Sequence, residues 1–362
     1  MSIRSQAAIY HERERPLVVD EVDHGDPGPD DVVVRVLASG ICHSFLHRFH
    51  MDGIALPHLF GHEATGVVEA VGSAVTRVGE GDTVLVTWLP GTPGADVAPA
   101  RALAHWNGVA AHTVNVYTWA QHCRVSQHYV VPVDPSVDVT TSSIVGCAVM
   151  TGAGAVINTA GVGPGQSVAV FGAGGVGLCA LQAAHNVGAA PIIAVDLDTA
   201  KLSLARRFGA THTVDATSGD AVAQVRTLAG QGVDFAFDTI GVPDTVRQIV
   251  TATRRGVPGL RRGGTSVLVG VCLTPPVLDL QDIMGGSKAF VGCVGGDAVP
   301  DRDFPTYLEW QATGRLPLAD LVTRRYRLDQ VNEALDDLAH GRISGRAIFD
   351  MTSDSPGDGP LV

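Results

Sequence analysis

The first half of the chain carries short, valine-rich apolar runs separated by glycine, proline and aspartate. Residues 32–37 and 66–71 form two such runs, and a glycine turn at 81–82 leads into a third at 83–86. Short apolar runs bounded by turn residues are typical of β-strands. This part of the sequence therefore predicts a β-rich domain.

From about residue 149 the pattern becomes one of strands that alternate with helices. An apolar strand is predicted at 167–171, followed by a glycine turn and a helix at 177–187. Strand–helix alternation predicts a parallel sheet covered on both faces. The remaining predicted elements are strands at 192–195, 235–238, 266–270 and 346–349 and helices at 198–208, 303–313 and 329–340. The tail at 353–359 is predicted to be disordered.

Charge and composition restrict the partners and the compartment. The net charge of −12 gives no general attraction to nucleic acid or to anionic membranes. The sequence has no run of 18 or more apolar residues that would predict a membrane span, and residues 1–16 are too polar for a secretory signal. We therefore expect a cytoplasmic protein. Its six scattered cysteines are then buried thiols or metal ligands and not a disulfide framework.

The strongest local motif follows the strand predicted at 167–171. Gly172, Gly174 and Gly177 form a G-x-G-x-x-G pattern between that strand and a helix. In dinucleotide sites the three glycines allow a tight turn, close approach of a pyrophosphate and close helix packing. The helix N-terminus then offers free N–H groups to phosphate. A purely structural glycine turn is the alternative.

An acidic residue supports the dinucleotide interpretation. Asp196 ends the next predicted strand, nineteen positions after Gly177, and this spacing suits a carboxylate that binds the adenosine ribose hydroxyls. A 2′-phosphate would require a nearby arginine, and residues 197–199 contain none. The sequence therefore favours NAD over NADP.

Three residues outside this region are candidate zinc ligands. Cys42, His62 and Cys147 offer the thiolates and the imidazole that zinc prefers, and three protein ligands with an open fourth position are typical of a catalytic zinc. Their spacing alone does not show that they converge. Taken singly, each is better explained as a structural residue, a buried thiol for either cysteine and a packed core histidine for His62.

Taken together, these segments resemble the zinc-dependent alcohol dehydrogenases of the medium-chain dehydrogenase/reductase superfamily. The resemblance runs from about residue 5 to residue 350. The matching stretches are GICHSFLH, FGHEATGVVEAVG, VGEGDTV, GCAVMTG, VAVFGAGGVG, AVDLDTAKL, FDTIG, SVLVGV, GCVGGDAVPDRDFP and SGRAIF.

The resemblance implies an α/β architecture of two domains. A GroES-like β-rich catalytic domain is expected over 1–148 and 295–362, with a Rossmann domain inserted at 149–294. It also implies hydride transfer between a small primary or secondary alcohol and NAD, giving an aldehyde or ketone. A homodimer or homotetramer is expected.

The resemblance also assigns roles to individual residues. It implies that Cys42, His62 and Cys147 hold a catalytic zinc and that Glu63 lies near the metal and assists exchange of its fourth ligand. Ser44 is expected to contact the alcohol oxygen, and His47 to end a proton relay. The expected cofactor contacts are Thr151 near the nicotinamide, His43 and Arg346 at the pyrophosphate, Lys201 near the adenosine ribose, and Gly172, Gly174, Gly175, Val176, Gly177, Asp196, Ile240 and Val269.

Two positions depart from the family pattern. The residue after Ser44 is usually acidic and hydrogen-bonds the zinc-ligand histidine, but here it is Phe45. The region 90–122 contains no cysteine, whereas many relatives hold a structural zinc there with four. We therefore predict one catalytic zinc per chain, no structural zinc, and a reshaped loop.

Position in the family pattern also suggests the pocket and some alternatives. Trp88 and Trp119 match aromatic residues of the alcohol pocket, which predicts a narrow cleft for flat or slim apolar alcohols. Ordinary core packing is the alternative, above all for Trp119.

Other functions to be weighed are a nicotinoprotein with permanently bound NAD, a dehydrogenase of formaldehyde–thiol adducts, a zinc-free quinone or enoyl reductase, and a catalytically silent protein that keeps the fold.

Overall fold

The computed structural model describes residues 3–49, 53–92 and 104–352; the tail predicted to be disordered lies outside them. The chain divides into two compact units. The first comprises Met1–Cys147, Val299–Glu309 and Leu318–Val362, and the second comprises Ala148–Ala298 and Trp310–Pro317.

Residues 310–317 belong to the second unit, although the sequence-based division places them with the first. Hydrogen bonds account for this placement. The side-chain amide of Asn186 donates to the carbonyl of Arg315 at 3.0 Å, and the Arg315 guanidinium donates back to the carbonyl of Asn186 at 3.4 Å.

The first unit contains the valine-rich strands that the sequence predicts at 32–37, 66–71 and 83–86. Its elements before residue 133 are β1 (Arg4–Tyr10), β2 (Val18–Asp23), β3 (Asp31–Ile41), α1 (Ser44–Phe49), β4 (His58–Leu59), β5 (Ala64–Val71), β6 (Thr83–Val86), β7 (Ala104–Trp106), β8 (Val109–Ala111), β9 (His122–Ser126) and β10 (Val130–Pro132).

A helical run, Val139–Thr159, comes next. It contains α2 (Val139–Ser142), α3 (Met150–Gly154) and two π-helical segments, Val145–Val149 and Ala155–Thr159. The run is long and apolar enough to cross a membrane by length and composition, but 89% of its apolar window is buried inside the protein. Such burial is that of a core helix.

The second unit confirms the predicted alternation of strands and helices. It contains β11 (Val168–Phe171), α4 (Gly175–Asn186), β12 (Ile192–Asp196), α5 (Thr199–Arg207), β13 (His212–Asp215), α6 (Ala221–Leu228), β14 (Phe235–Asp238), α7 (Pro243–Ala252), β15 (Thr265–Leu268), α8 (Leu280–Gly285) and β16 (Ala289–Gly292). The last elements among the described residues are α9 (Pro300–Ala312), α10 (Leu318–Leu321), β17 (Val322–Tyr326), α11 (Val331–Ala339) and β18 (Arg346–Asp350).

The first unit is built on two sheets. One has the order β4-β1-β2-β7-β8, and the other has the order β10-β6-β5-β3-β18-β17 with β9 also paired to β3. Alternate valines of β3, together with Val68 of β5, belong to one core. Phe45, Phe60, Trp119 and Phe349 belong to a second core that is rich in aromatic residues. The cysteine-free segment contributes the β7–β8 hairpin, which joins β2 where Asp23 pairs with His105.

The second unit contains one parallel sheet in the order β13-β12-β11-β14-β15-β16. Its strands β11 and β12 are apolar runs that are buried over 168–171 and 192–195, as expected of strands covered on both faces. Successive strands are added on one side of β11 up to β13 and on its other side from β14 onward. Ligands of such sheets bind at the carboxyl ends of the strands where this change occurs, here between β11 and β14. The described architecture is thus the predicted α/β one, a β-rich unit and a doubly wound unit.

Candidate active site

Three separate segments of the first unit bring the predicted metal ligands together. Cys42 follows β3, His62 precedes β5, and Cys147 lies in the π-helical segment Val145–Val149. The ligand atoms of these three residues all lie within 4.8 Å of one another. Residues 20 and 105 positions from Cys42 in the sequence therefore share one site.

A glycine turn sets the position of His62. Gly61 has a φ of +96°, a conformation that glycine adopts without steric cost. A Cβ at Gly61 would also lie 2.4 Å from the backbone nitrogen of Trp119. Both observations require glycine at this position, and the turn that it allows carries His62 toward the two cysteines.

The donor set and its geometry fit a zinc ion. The Sγ atoms of Cys42 and Cys147 lie 3.9 Å apart, and two sulfurs on one tetrahedral zinc, each about 2.3 Å from it, would lie about 3.8 Å apart. Nε2 of His62 is buried and has no hydrogen-bond partner, so its lone pair is free for a metal. Two thiolates and one imidazole leave a fourth position for another ligand.

The two thiols of the site lie within hydrogen-bond distance of each other. This hydrogen bond, aided by the positive charge of Arg346, holds the pKa of Cys42 well below its usual range although burial opposes it. The same interaction, together with burial, raises the pKa of Cys147. Because metals bind thiolates, a bound ion would displace the thiol protons.

The residues after Cys42 form the first turn of α1. The hydroxyl of Ser44 donates to Sγ of Cys42 at 3.3 Å and is half-buried. The rings of His43 and His47 meet edge to face with their centroids 5.4 Å apart. His43 is exposed and His47 is half-buried. The Ser44 hydroxyl thus lies at the site, and the His47 imidazole lies one turn further along α1.

Glu63 and Arg346 form a buried ion pair. Their side chains are 0% and 6% exposed, and the positive charge of Arg346 acts on Cys42. Burial lowers the pKa of the Arg346 guanidinium, but the charges of Glu63, Cys42 and Cys147 outweigh that effect and raise it. The Arg346 guanidinium, which the resemblance predicts to face a pyrophosphate, donates through its Nη2 to the Glu63 carboxylate.

The two candidate pocket tryptophans lie in different surroundings. Trp88 is half-buried, its ring centroid lies 6.2 Å from that of His62, and its Nε1 is buried without a hydrogen-bond partner. Trp119 is 1% exposed and donates through Nε1 to the carbonyl of Gly40 at 3.1 Å. The burial of Trp119 favours the alternative interpretation, an ordinary core aromatic.

The glycine motif of the second unit forms a tight turn at the carboxyl end of β11. Gly172 has a φ of +100°. A Cβ on Gly177 would lie 1.8 Å from the carbonyl oxygen of Gly172, whereas a Cβ on Gly174 would meet no heavy atom within 4 Å. Gly177 is therefore required by packing and Gly174 faces open space. The helix α4 begins at Gly175, followed by Val176.

The carboxylate of Asp196 is held beside this turn. Its two oxygens accept hydrogen bonds from the backbone N–H groups of Ala173 at 2.7 Å and Asp198 at 3.0 Å. The sheet thus brings Asp196, at the end of β12, next to the glycine motif. Among the other predicted cofactor contacts, Ile240 is 43% exposed. Three more are half-buried, namely Lys201 on α5, Thr151 on α3 and Val269 after β15.

Sequence reasoning did not single out two residues that support the glycine turn. The hydroxyl of Thr239 donates to the carbonyls of Phe171 and Gly172 at 3.1 and 3.0 Å. Asp238 is fully buried and accepts from the N–H groups of Ile240 and Gly241. Burial raises its pKa. Their position at the carboxyl end of a buried strand is the signal that could have identified them.

Comparison with known proteins agrees with this geometry. The family model described as an alcohol dehydrogenase GroES-like domain matches residues 28–135, and the model described as a zinc-binding dehydrogenase matches residues 175–313. The chain is 34% identical to the geraniol dehydrogenase of Castellaniella defragrans over 96% of both chains. It is 32% identical to the NDMA-dependent alcohol dehydrogenase of Amycolatopsis methanolica, covering 94% of this chain and 97% of that protein.

A solved structure shows the same likeness. The benzyl alcohol dehydrogenase of Acinetobacter calcoaceticus superposes with a TM-score of 0.87 at 29% identity, covering 97% of this chain and 100% of the other. Sequence and structure thus match over nearly the whole length. The chain belongs to the zinc-dependent alcohol dehydrogenase family of the medium-chain dehydrogenase/reductase superfamily, which makes it an oxidoreductase of alcohols and aldehydes.

Proposed function

We propose that the protein is a zinc-dependent dehydrogenase that transfers hydride between a small primary or secondary alcohol and NAD. The convergence of Cys42, His62 and Cys147 carries the proposal, because their ligand atoms lie close enough to share one ion. A zinc-free reductase or a silent protein of the same fold has no need of this arrangement.

The residues around the site support the chemistry of alcohol oxidation. A zinc ion on these ligands would supply Lewis acidity, and a nicotinamide would supply the hydride acceptor. The Ser44 hydroxyl, now donating to Cys42, can turn to accept the proton of an alcohol. His47 lies in the next turn of α1, where its imidazole can pass that proton to water.

Metal content and a pair of cysteine variants test the zinc centre. We expect one zinc per chain by plasma mass spectrometry, since region 90–122 has no cysteine and its described part forms the β7–β8 hairpin. Cys147→Ser should lose zinc and activity. Cys123→Ser is the matched control, because Cys123 is a fully buried thiol of the same unit outside the site. Equal zinc in all three proteins would overturn the proposed ligands, and two zinc ions would overturn the absence of a structural site.

The choice of NAD is supported by Asp196. Its carboxylate lies at the glycine turn, where it can accept hydrogen bonds from two ribose hydroxyls and repel a 2′-phosphate. Asp196→Ser should weaken NAD binding by roughly 10- to 100-fold, the effect of one to two charge-assisted hydrogen bonds. Asp198→Ser, which replaces the N-cap carboxylate of α5 by a hydroxyl that can still cap the helix, should leave NAD affinity nearly unchanged. Calorimetric titration with NAD and NADP distinguishes these results.

A second candidate function is alcohol oxidation by a nicotinamide that stays bound and is recycled by an external acceptor. The relative described as NDMA-dependent favours it. Adding alcohol to purified protein without NAD should then produce the absorbance of a reduced nicotinamide, in an amount equal to the protein. No absorbance without added NAD, and full turnover with it, would leave the exchangeable-NAD proposal standing.

The substrate class and the pocket follow from Trp88. Its ring lies beside His62, so it narrows the space next to the candidate metal and favours flat or slim apolar alcohols and their carbonyl products. Large branched alcohols are expected to be poor substrates.

We place the enzyme in the cytoplasm, where the free thiols of Cys42 and Cys147 would remain reduced.

We also propose that the chain forms a homodimer or homotetramer. Strand β16 is at the edge of its sheet among the described residues, and an exposed strand edge can pair with a second copy. Large apolar side chains from the adjoining segment are exposed, namely Leu260, Val277, Leu280 and Met284. Light scattering should give a dimer or larger, and Val291→Lys in β16 should shift the protein toward the monomer.

A further inference from the structure

The orientation of His62 is not secured in the way usual for a metal-binding histidine. Such residues ordinarily donate their second ring N–H to a carboxylate, a carbonyl or a water, which fixes the tautomer and the plane of the ring. Among the described residues no carboxylate accepts a hydrogen bond from His62, and its buried Nε2 is the nitrogen left free for a metal. The plane of the imidazole is therefore not set by a carboxylate, and ring contacts are the interactions that can set it.

Aromatic rings occupy the surroundings of His62. The ring of Phe45 lies against the imidazole, with centroids 4.6 Å apart and planes inclined by 31°. The indole of Trp88 lies 6.2 Å away, inclined by 50°. Both distances lie within the range at which aromatic rings attract each other, about 4.5–7 Å between centroids, and Phe45 is the closer of the two rings.

Phe45 is itself rigidly held. It is 3% exposed, and its ring contacts Trp119 at 4.5 Å and Phe60 at 5.4 Å. Trp119 is fixed in turn by its hydrogen bond to the carbonyl of Gly40. The contact between Phe45 and His62 therefore has a firm base in the aromatic core, and α1 carries Phe45 only three residues after Cys42.

We infer that Phe45 is a positioning residue that holds His62 in its ligand orientation by ring contact. This inference rests on the proposed zinc centre. A ring fixes the plane of the imidazole without adding negative charge beside it, and the carboxylate of Glu63 is already neutralised by Arg346.

Metal affinity and a cobalt spectrum test this role. Zinc dissociation constants would be measured by chelator competition on the whole protein and on Phe45→Leu, Phe45→Tyr and Phe49→Leu. Phe45→Leu keeps an apolar side chain but removes the ring, and we expect a roughly tenfold or larger loss of zinc affinity. Phe45→Tyr keeps the ring, so its zinc affinity should stay within about threefold of the parental value, clearly less than the tenfold or larger loss expected when such a contact is removed.

Phe49→Leu is the matched control, because Phe49 contacts Tyr10 and Phe60 in the same aromatic core. It should leave zinc affinity and the visible spectrum of the cobalt-substituted protein unchanged, whereas Phe45→Leu should shift that spectrum. Equal zinc affinity of Phe45→Leu and the parent would overturn the inference, as would an equal loss in Phe49→Leu. A parent protein that binds neither zinc nor cobalt would instead overturn the proposed function, and this inference with it.

Discussion

Arg346, the first residue of β18, pairs with Glu63, the residue between His62 and β5, in the interior of the first unit. The two lie 283 positions apart in the sequence. The pair links the C-terminal strand to the segment that carries a candidate metal ligand. Its charges act on both cysteines of the site, so the pair belongs to the structure and to the electrostatics of the centre.

Removing one member of this pair should destabilise the protein strongly. In Arg346→Leu the Glu63 carboxylate would remain buried without a counter-charge, which costs about 3–5 kcal/mol. Denaturant unfolding measures the change. Arg35→Leu is the control, because Arg35 pairs with Glu69 on the surface and such pairs contribute about 0–1 kcal/mol. Similar losses in the two variants would show that the burial of the Glu63–Arg346 pair has no energetic consequence.

The glycine motif allows fold and cofactor binding to be separated. Gly177→Ala should reduce stability by about 1–3 kcal/mol through overpacking, since its Cβ would strike the carbonyl of Gly172. Gly174→Ala has open space and should change stability by less than about 1 kcal/mol. It should nevertheless weaken NAD binding, because its methyl group would occupy the place of a pyrophosphate. Thermal unfolding and NAD titration of both variants check this; normal NAD affinity in Gly174→Ala would contradict it.

The sequence predicted the order and type of most elements because apolar periodicity depends on local burial. The strand of 235–238 and the start of β18 at residue 346 are reproduced. The β7–β8 hairpin was predicted only as a reshaped loop, since its strands have three residues each and depend on pairing with β2, a distant segment. Length and periodicity carry no signal for such a contact.

The candidate site was predictable to a different degree. Spacing could not show that Cys42, His62 and Cys147 converge; the resemblance implied it and the fold brings their ligand atoms together. The substitution at Phe45 was visible in the sequence, but its effect was not. Only the fold shows that the ring lies on His62, because that contact depends on where α1 directs its side chains.

Stability should depend on pH through a buried histidine remote from the site. His24 is 0% exposed, bonded to Ser5 and Tyr117 at 2.8 and 2.7 Å, and burial lowers its pKa to about 3. The unfolded chain takes up a proton near pH 6.5 and the folded chain does not, so stability is full above that pH and falls as the pH decreases toward 3. The loss between pH 7 and pH 5 should be about 2 kcal/mol.

A variant isolates this contribution. His24→Gln lowers stability at pH 7 but should lose less on acidification than the parent, by about 2 kcal/mol. His340→Gln, at an exposed position, should keep the parental slope. Urea unfolding at the two pH values measures both. An unchanged slope in His24→Gln would assign the acid sensitivity to other groups, such as the buried His58, whose pKa burial lowers to about 4.

The substrate preference should depend on Trp88. Replacing the indole by a methyl group in Trp88→Ala opens the space beside His62, so branched or bulky alcohols should gain about tenfold or more in kcat/KM relative to slim ones, the scale on which pocket contacts discriminate. Trp106→Ala is the control, because Trp106 is also half-buried in the first unit but bonds to Asp20 on the neighbouring strand. A panel of primary and secondary alcohols ranked for the three proteins gives the measurement. If Trp88→Ala keeps the parental ranking, the indole is a packing residue and the walls of the alcohol pocket lie elsewhere.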